Sequence, residues 1–189
     1  MRRLLLLTLL SLATTSGCSR HERPNDDCAP SGRVVDPVLL AFLSQARSAH
    51  HLADQQEAAG DSAAALRALQ TLVAAPQPPG NPPEVGEVLA DTRARMADLL
   101  SRAGRFDQAD AAISEGLTSA KEPSYFRGHL LEVKGLVEER RAKALTSTGR
   151  GAEAEKARER SLSAYEEAMK IQAEVIRRAT PAASGERLP

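Results

Sequence analysis

The sequence predicts an all-α protein, an array of about three antiparallel helical hairpins with long first helices. Three observations carry this. Ala, Leu, Glu and Arg, all good helix formers, dominate the chain. Apolar residues recur at helical spacing over several long stretches, whereas the one strand-like run, "GRVVD", is too short to build a sheet. Glycine and proline divide residues 36–179 into paired segments, and those pairs repeat.

The first helix opens at Asp36-Pro37, an N-cap followed by a proline suited to the first turn. Its expected apolar stripe is Val38, Phe42, Ala46, Ala49 and Ala53, and Gly60 ends it. "SAAALRALQTLVAA" follows, with Ala65, Leu69 and Leu72 on one face, and "PQPPGNPP" breaks the chain. A long helix runs from near Glu84 to Ala103 with Val85, Leu89, Thr92, Met96 and Leu99 in line, and Gly104 stops it. Its partner carries Phe106, Ala109, Ile113 and Leu117. After "KEP" the fifth helix starts near Ser124 with Phe126, Leu130, Val133 and Val137 inward. "TSTGRGAEA" interrupts, and the last helix is expected to face inward through Leu162, Tyr165, Met169 and Ile176 as far as Arg178. Residues 180–189 read as a loose tail.

Ala53, Gly60, Ala65, Leu69 and Leu72 recur 44 residues later as Ala97, Gly104, Ala109, Ile113 and Gly116. At an offset of 45 the series continues with Ala142, Gly149 and Ala154, then departs at Arg158 and Ser161. The third copy is either regular or carries an insertion of about ten residues, with "SAYEEAMKIQ" as its true second helix. These units resemble tetratricopeptide repeats, through Ala53, Gly60, Ala65, Leu69 and Pro76 in the first and Ala97, Gly104, Phe106, Ala109 and Ile113 in the second. The spacing is longer than that family's, and its Trp, Leu and Tyr positions in the first helix are not met. The resemblance implies a groove along the first helices of the hairpins that holds a protein or peptide partner. Its lining would be Arg47, His50, Asp54 and Glu57, then Asp91, Asp98 and Ser101, a mostly acidic and polar set suited to a basic segment.

The N-terminus gives an address. Met1-Arg2-Arg3, the uncharged run "LLLLTLLSLA" and the small residues "TTSG" form the three parts of an export signal. The run is too short to span a bilayer as a helix. "TSGC" resembles the lipobox of bacterial lipoproteins, which implies cleavage after Gly17 and a lipid on Cys18. Ser19 next to it implies, by the same resemblance, the periplasmic side of the outer membrane. Residues 1–17 are then the signal peptide, and residues 18–35 the lipidated cysteine with a polar tether broken by Pro24 and Pro30. A lipidated Cys18 leaves Cys28 alone; an unmodified one permits a Cys18–Cys28 disulfide in an oxidising compartment.

Lys plus Arg and Asp plus Glu number 25 each, so nothing points to nucleic acid. Three Phe, two Tyr and no Trp offer no stacking platform. There is no phosphate-binding glycine loop, no "HExxH" and no serine elbow, and no cofactor is implied beyond the lipid. His50, Asp54 and Glu57, at helical spacing, could in principle hold a metal, though such a set usually forms a solvated face. Glu138-Glu139-Arg140-Arg141 reads as a charge run on a helix, with Glu138 to Arg141 at a spacing that supports the helix itself. The expected function is a lipid-anchored, non-enzymatic interaction scaffold of the cell envelope. The rival readings are a periplasmic metal-binding or enzymatic bundle centred on His50, and a purely structural spacer.

Overall fold

The computed structural model describes residues 36–180, which form six α-helices. They are α1 (Pro37–Ala58), α2 (Ser62–Val73), α3 (Pro83–Arg102), α4 (Phe106–Ser119), α5 (Tyr125–Ser147) and α6 (Gly151–Ala179). The expectations for the signal peptide, Cys18, Cys28, the tether and residues 181–189 lie outside the described residues. Among the described residues, no helix is long and apolar enough to cross a membrane.

The helices pack as three hairpins, α1 with α2, α3 with α4 and α5 with α6. The hairpins join through their first helices, α1 on α3 and α3 on α5, and through each second helix against the next first helix. Each tight turn needs a left-handed residue, and the repeat supplies Gly60, Gly104 and Gly149 with φ of 82°, 74° and 75°. The small residues on either side of those turns keep the paired helices close. Ala53, Ala97, Ala65, Ala109 and Ala154 are fully buried, and Ala142 is nearly so.

One core cluster runs through all three hairpins, from Leu66 and Leu69 through Leu99, Leu100 and Ile113 to Leu130 and Val137. A second, built on Leu39, Phe42, Ala46, Leu72, Val85 and Leu89, holds hairpin 1 to the start of α3. The first turn of α1 corrects the expected stripe: Leu39 is buried and Val38 is 52% exposed. Asp36 accepts a hydrogen bond from the Val38 amide and fixes that rotation.

The third hairpin is regular, with no inserted segment; α6 runs unbroken from Gly151. Its inward face is not the expected one. Ala154, Ala157, Ser161, Ala164 and Ala168 are buried, whereas Leu162, Met169 and Ile176 are each more than 60% exposed. The cause is a close approach between α5 and α6. Gly128, Gly135 and Ala142 stand seven residues apart on α5 and are buried. A Cβ on Gly135 would lie 2.7 Å from the Tyr165 ring, and one on Gly128 would lie 3.1 Å from Gln172. Only small residues fit such a contact, so the core face of α6 is alanine with one serine, Ser161, which donates to the Gly135 carbonyl at 2.9 Å. Arg158 replaces Leu69 and Ile113 of the earlier hairpins because no further helix packs against it among the described residues.

Candidate binding groove

The seven residues expected to line a groove stand on α1 and α3, and the structure divides them. Arg47, His50 and Asp91 surround a depression of about 190 Å³ floored by Leu43, Val88 and Phe126. Arg47 is exposed, and Asp91 keeps 42% of its side chain in solvent. His50 is half-buried, and its Nε2 lies 2.9 Å from Thr92 Oγ1. Thr92 gives its own hydroxyl proton to the Val88 carbonyl, 2.7 Å away, so Nε2–H of a neutral His50 is the donor between them. Burial lowers the His50 pKa, with Arg95 acting in the same sense and Asp91 and Asp54 opposing.

Asp54, Glu57, Asp98 and Ser101 are engaged within the molecule. Arg95 of α3 reaches back to α1, placing Nη2 2.7 Å from Asp54 and 2.6 Å from Glu57. Arg102 adds a contact of 2.8 Å to each of Glu57 and Asp98. One hairpin later, Arg140 of α5 reaches back to α3 in the same manner, 2.7 Å from Asp98 and 2.6 Å from Ser101 Oγ. Burial alone would raise the Glu57 pKa, but the hydrogen bonds from Arg95 and Arg102 outweigh it and hold the carboxyl below its usual range. Ser101, expected on the surface, is 3% exposed and belongs to the α3–α5 contact. The expected metal face of His50, Asp54 and Glu57 is likewise divided between Thr92 and Arg95. Among the described residues, no group of three or more His, Cys, Asp or Glu is placed to hold a metal ion.

In the run Glu138 to Arg141 the expected pair forms, Arg141 Nε lying 3.4 Å from Glu138, and both its members are turned inward. Glu138 is 4% exposed and takes Arg160 Nη2 at 2.7 Å. Arg141 lies 5.3 Å over the Phe106 ring and pairs with Asp110 and Asp107. These charges join α5 to α4 and α6.

The first turn of α5 adds residues that sequence reasoning missed. Tyr125 is 60% exposed and meets Phe126 edge-on with centroids 5.3 Å apart. Tyr125 also stacks on His129 at 6.0 Å, and His129 Nε2 lies 4.0 Å from Asp91. His129 thus stands beside Asp91, which lines the depression. Ser124 caps the helix through the Arg127 amide and so sets where these rings point. No protein-family model matches the chain, and comparison with curated proteins and with solved structures finds no match either.

Proposed function

We propose that this chain is a non-enzymatic interaction scaffold, anchored by a lipid on Cys18 at the periplasmic side of the outer membrane. Its helical hairpins are read as a tetratricopeptide-like array. The stacking of first helices against one another, and the glycine turns, support that reading. The observation that carries it is the depression bounded by Arg47, His50 and Asp91, with its apolar floor and the Tyr125–His129 pair beside it. An apolar side chain of a partner segment fits the floor, and polar groups of its backbone fit the rim. Asp54, Glu57 and Asp98 are already paired with arginines, so a strongly basic partner is no longer required; Asp91 remains to meet one positive group.

A photo-crosslinking residue placed at Arg47 in living cells tests the proposal, with the same residue at exposed Lys170 as control. A discrete protein adduct from position 47, absent from position 170 and lost in a Val88→Glu variant, is the expected result. No adduct from position 47 would leave the spacer reading in its place. Mass spectrometry of the membrane fraction tests the anchor, and an unmodified Cys18 there would remove it.

A further inference from the structure

The first turn of α4, the last turns of α5 and the first turns of α6 border a solvent-open cavity of about 740 Å³ that the groove does not use. Five cationic side chains line it, Arg105, Arg141, Arg150, Lys156 and Arg160, against two carboxylates, Asp107 and Glu153. Both carboxylates are engaged, Glu153 by Arg150 and Asp107 by Arg141 at 3.3 Å. Arg160 is matched by Glu138. Arg105 and Lys156 are exposed and have no carboxylate within 4.0 Å among the described residues; Arg105 donates to the Gln108 side-chain carbonyl, which a phosphate oxygen would displace. The cavity therefore carries an excess of positive charge.

The repeat shows where these cations depart from hairpin 1. Asp61 caps α2 by accepting from the Ala64 amide. At the corresponding positions of hairpins 2 and 3 stand Arg105 and Arg150, and neither α4 nor α6 has a side-chain cap. Arginine is a poor N-cap, and a cation at the positive end of a helix is unfavourable. Both departures fall on this one cavity. Arg141, over the Phe106 ring with 18% of its side chain exposed, is held by Asp107, Asp110 and Glu138 and is not free to meet a ligand.

We propose that this cavity binds the phosphate group of a phosphate ester. Arg105 and Lys156 would meet its oxygens, since a guanidinium fork suits phosphate geometry. Phe106, Ala144 and Leu145 offer the organic part an apolar wall. The cavity lies within the roughly 300–1,000 Å³ of small-molecule sites, so the ligand is larger than a bare ion. A soluble ester and a phospholipid headgroup present the same chemistry.

Calorimetry on the full chain at low salt tests this, with glycerol 3-phosphate as one probe and short-chain phosphatidylglycerol below its micelle concentration as the other. Saturable one-site binding of either supports the site, and the tighter probe identifies the source. Replacing Arg105→Gln with Lys156→Gln is expected to weaken binding by about tenfold or more. The matched pair Lys121→Gln with Lys170→Gln, exposed elsewhere, is expected to leave it within about twofold. Arg105→Asp restores the residue type of hairpin 1, and should abolish binding while melting no lower than the natural chain. Absence of saturable heat with both probes, equal weakening by the control pair, or full binding by Arg105→Asp would each overturn the proposal.

Discussion

Arg95 and Arg140 occupy corresponding places in successive hairpins, and each reaches back to an acidic residue of the hairpin before it. Arg95 and Glu57 are both about one-fifth exposed, so their hydrogen bonds are only partly screened. Arg95→Ala is expected to cost about 1–2 kcal/mol in urea denaturation. Arg177→Ala, whose pair with Glu174 stands in water, should leave the midpoint where it is. His50 carries a pH dependence. Its folded pKa lies below the ordinary 6.5, so the unfolded chain takes up the proton first and stability falls as pH drops below about 6.5. Glu57, with a lowered pKa, adds its loss only below its ordinary 4.5. Urea midpoints at pH 7.5 and 5.5 should therefore differ in the natural chain and converge in His50→Gln. None of these pairings was legible in the sequence. Spacing shows that Asp54, Glu57 and Asp98 leave the apolar stripe of their own helices, but not whether water or a neighbouring helix lies beyond. The recurrence of Arg95 at Arg140 was the available signal, and it stands among the charges that an amphipathic reading assigns to solvent.

At the scale of the helix, side-chain volume decides the packing. Ala109 is fully buried between paired helices, so Ala109→Leu should cost about 1–3 kcal/mol. The same change at exposed Gln108 should cost under about 0.5 kcal/mol. On α5 the two glycines should separate. At Gly128 the added Cβ meets the flexible Gln172 chain at 3.1 Å, and helix propensity offsets the crowding. At Gly135 it meets the Tyr165 ring at 2.7 Å, which must move. Gly135→Ala should melt lower than Gly128→Ala and alter the near-ultraviolet tyrosine signal. Helix ends were legible because caps and glycines mark them chemically. The face of α6 was not, because burial there follows the small residues of α5 and not the hydrophobicity of α6 itself. Leu162, Met169 and Ile176 form a correct helical stripe that points away from the core.

Across the whole molecule the hairpins are held unequally. α5 and α6 approach each other across Gly128 and Gly135 along most of their length, while α1 reaches the main core through Ala53 and otherwise meets α3 through a smaller cluster. Hydrogen exchange should therefore open α1 before α5, with amides in 40–50 losing protection earlier than those in 130–140. Uniform protection would mean that the three hairpins unfold as one. The backward-reaching arginines also set a rule for length. Hairpin 2 has both halves of the joint: Arg95 as a plug, and Asp98 with Ser101 as a socket. Hairpin 1 has only the socket, since His51 stands where Arg95 would; hairpin 3 has only the plug, since Lys143 stands where Asp98 would. A further unit added after α6 would set its arginine against Lys143, whereas a second copy of hairpin 2, spliced in behind the first, would find every charge answered. The chain can thus be lengthened from its middle but not from its end.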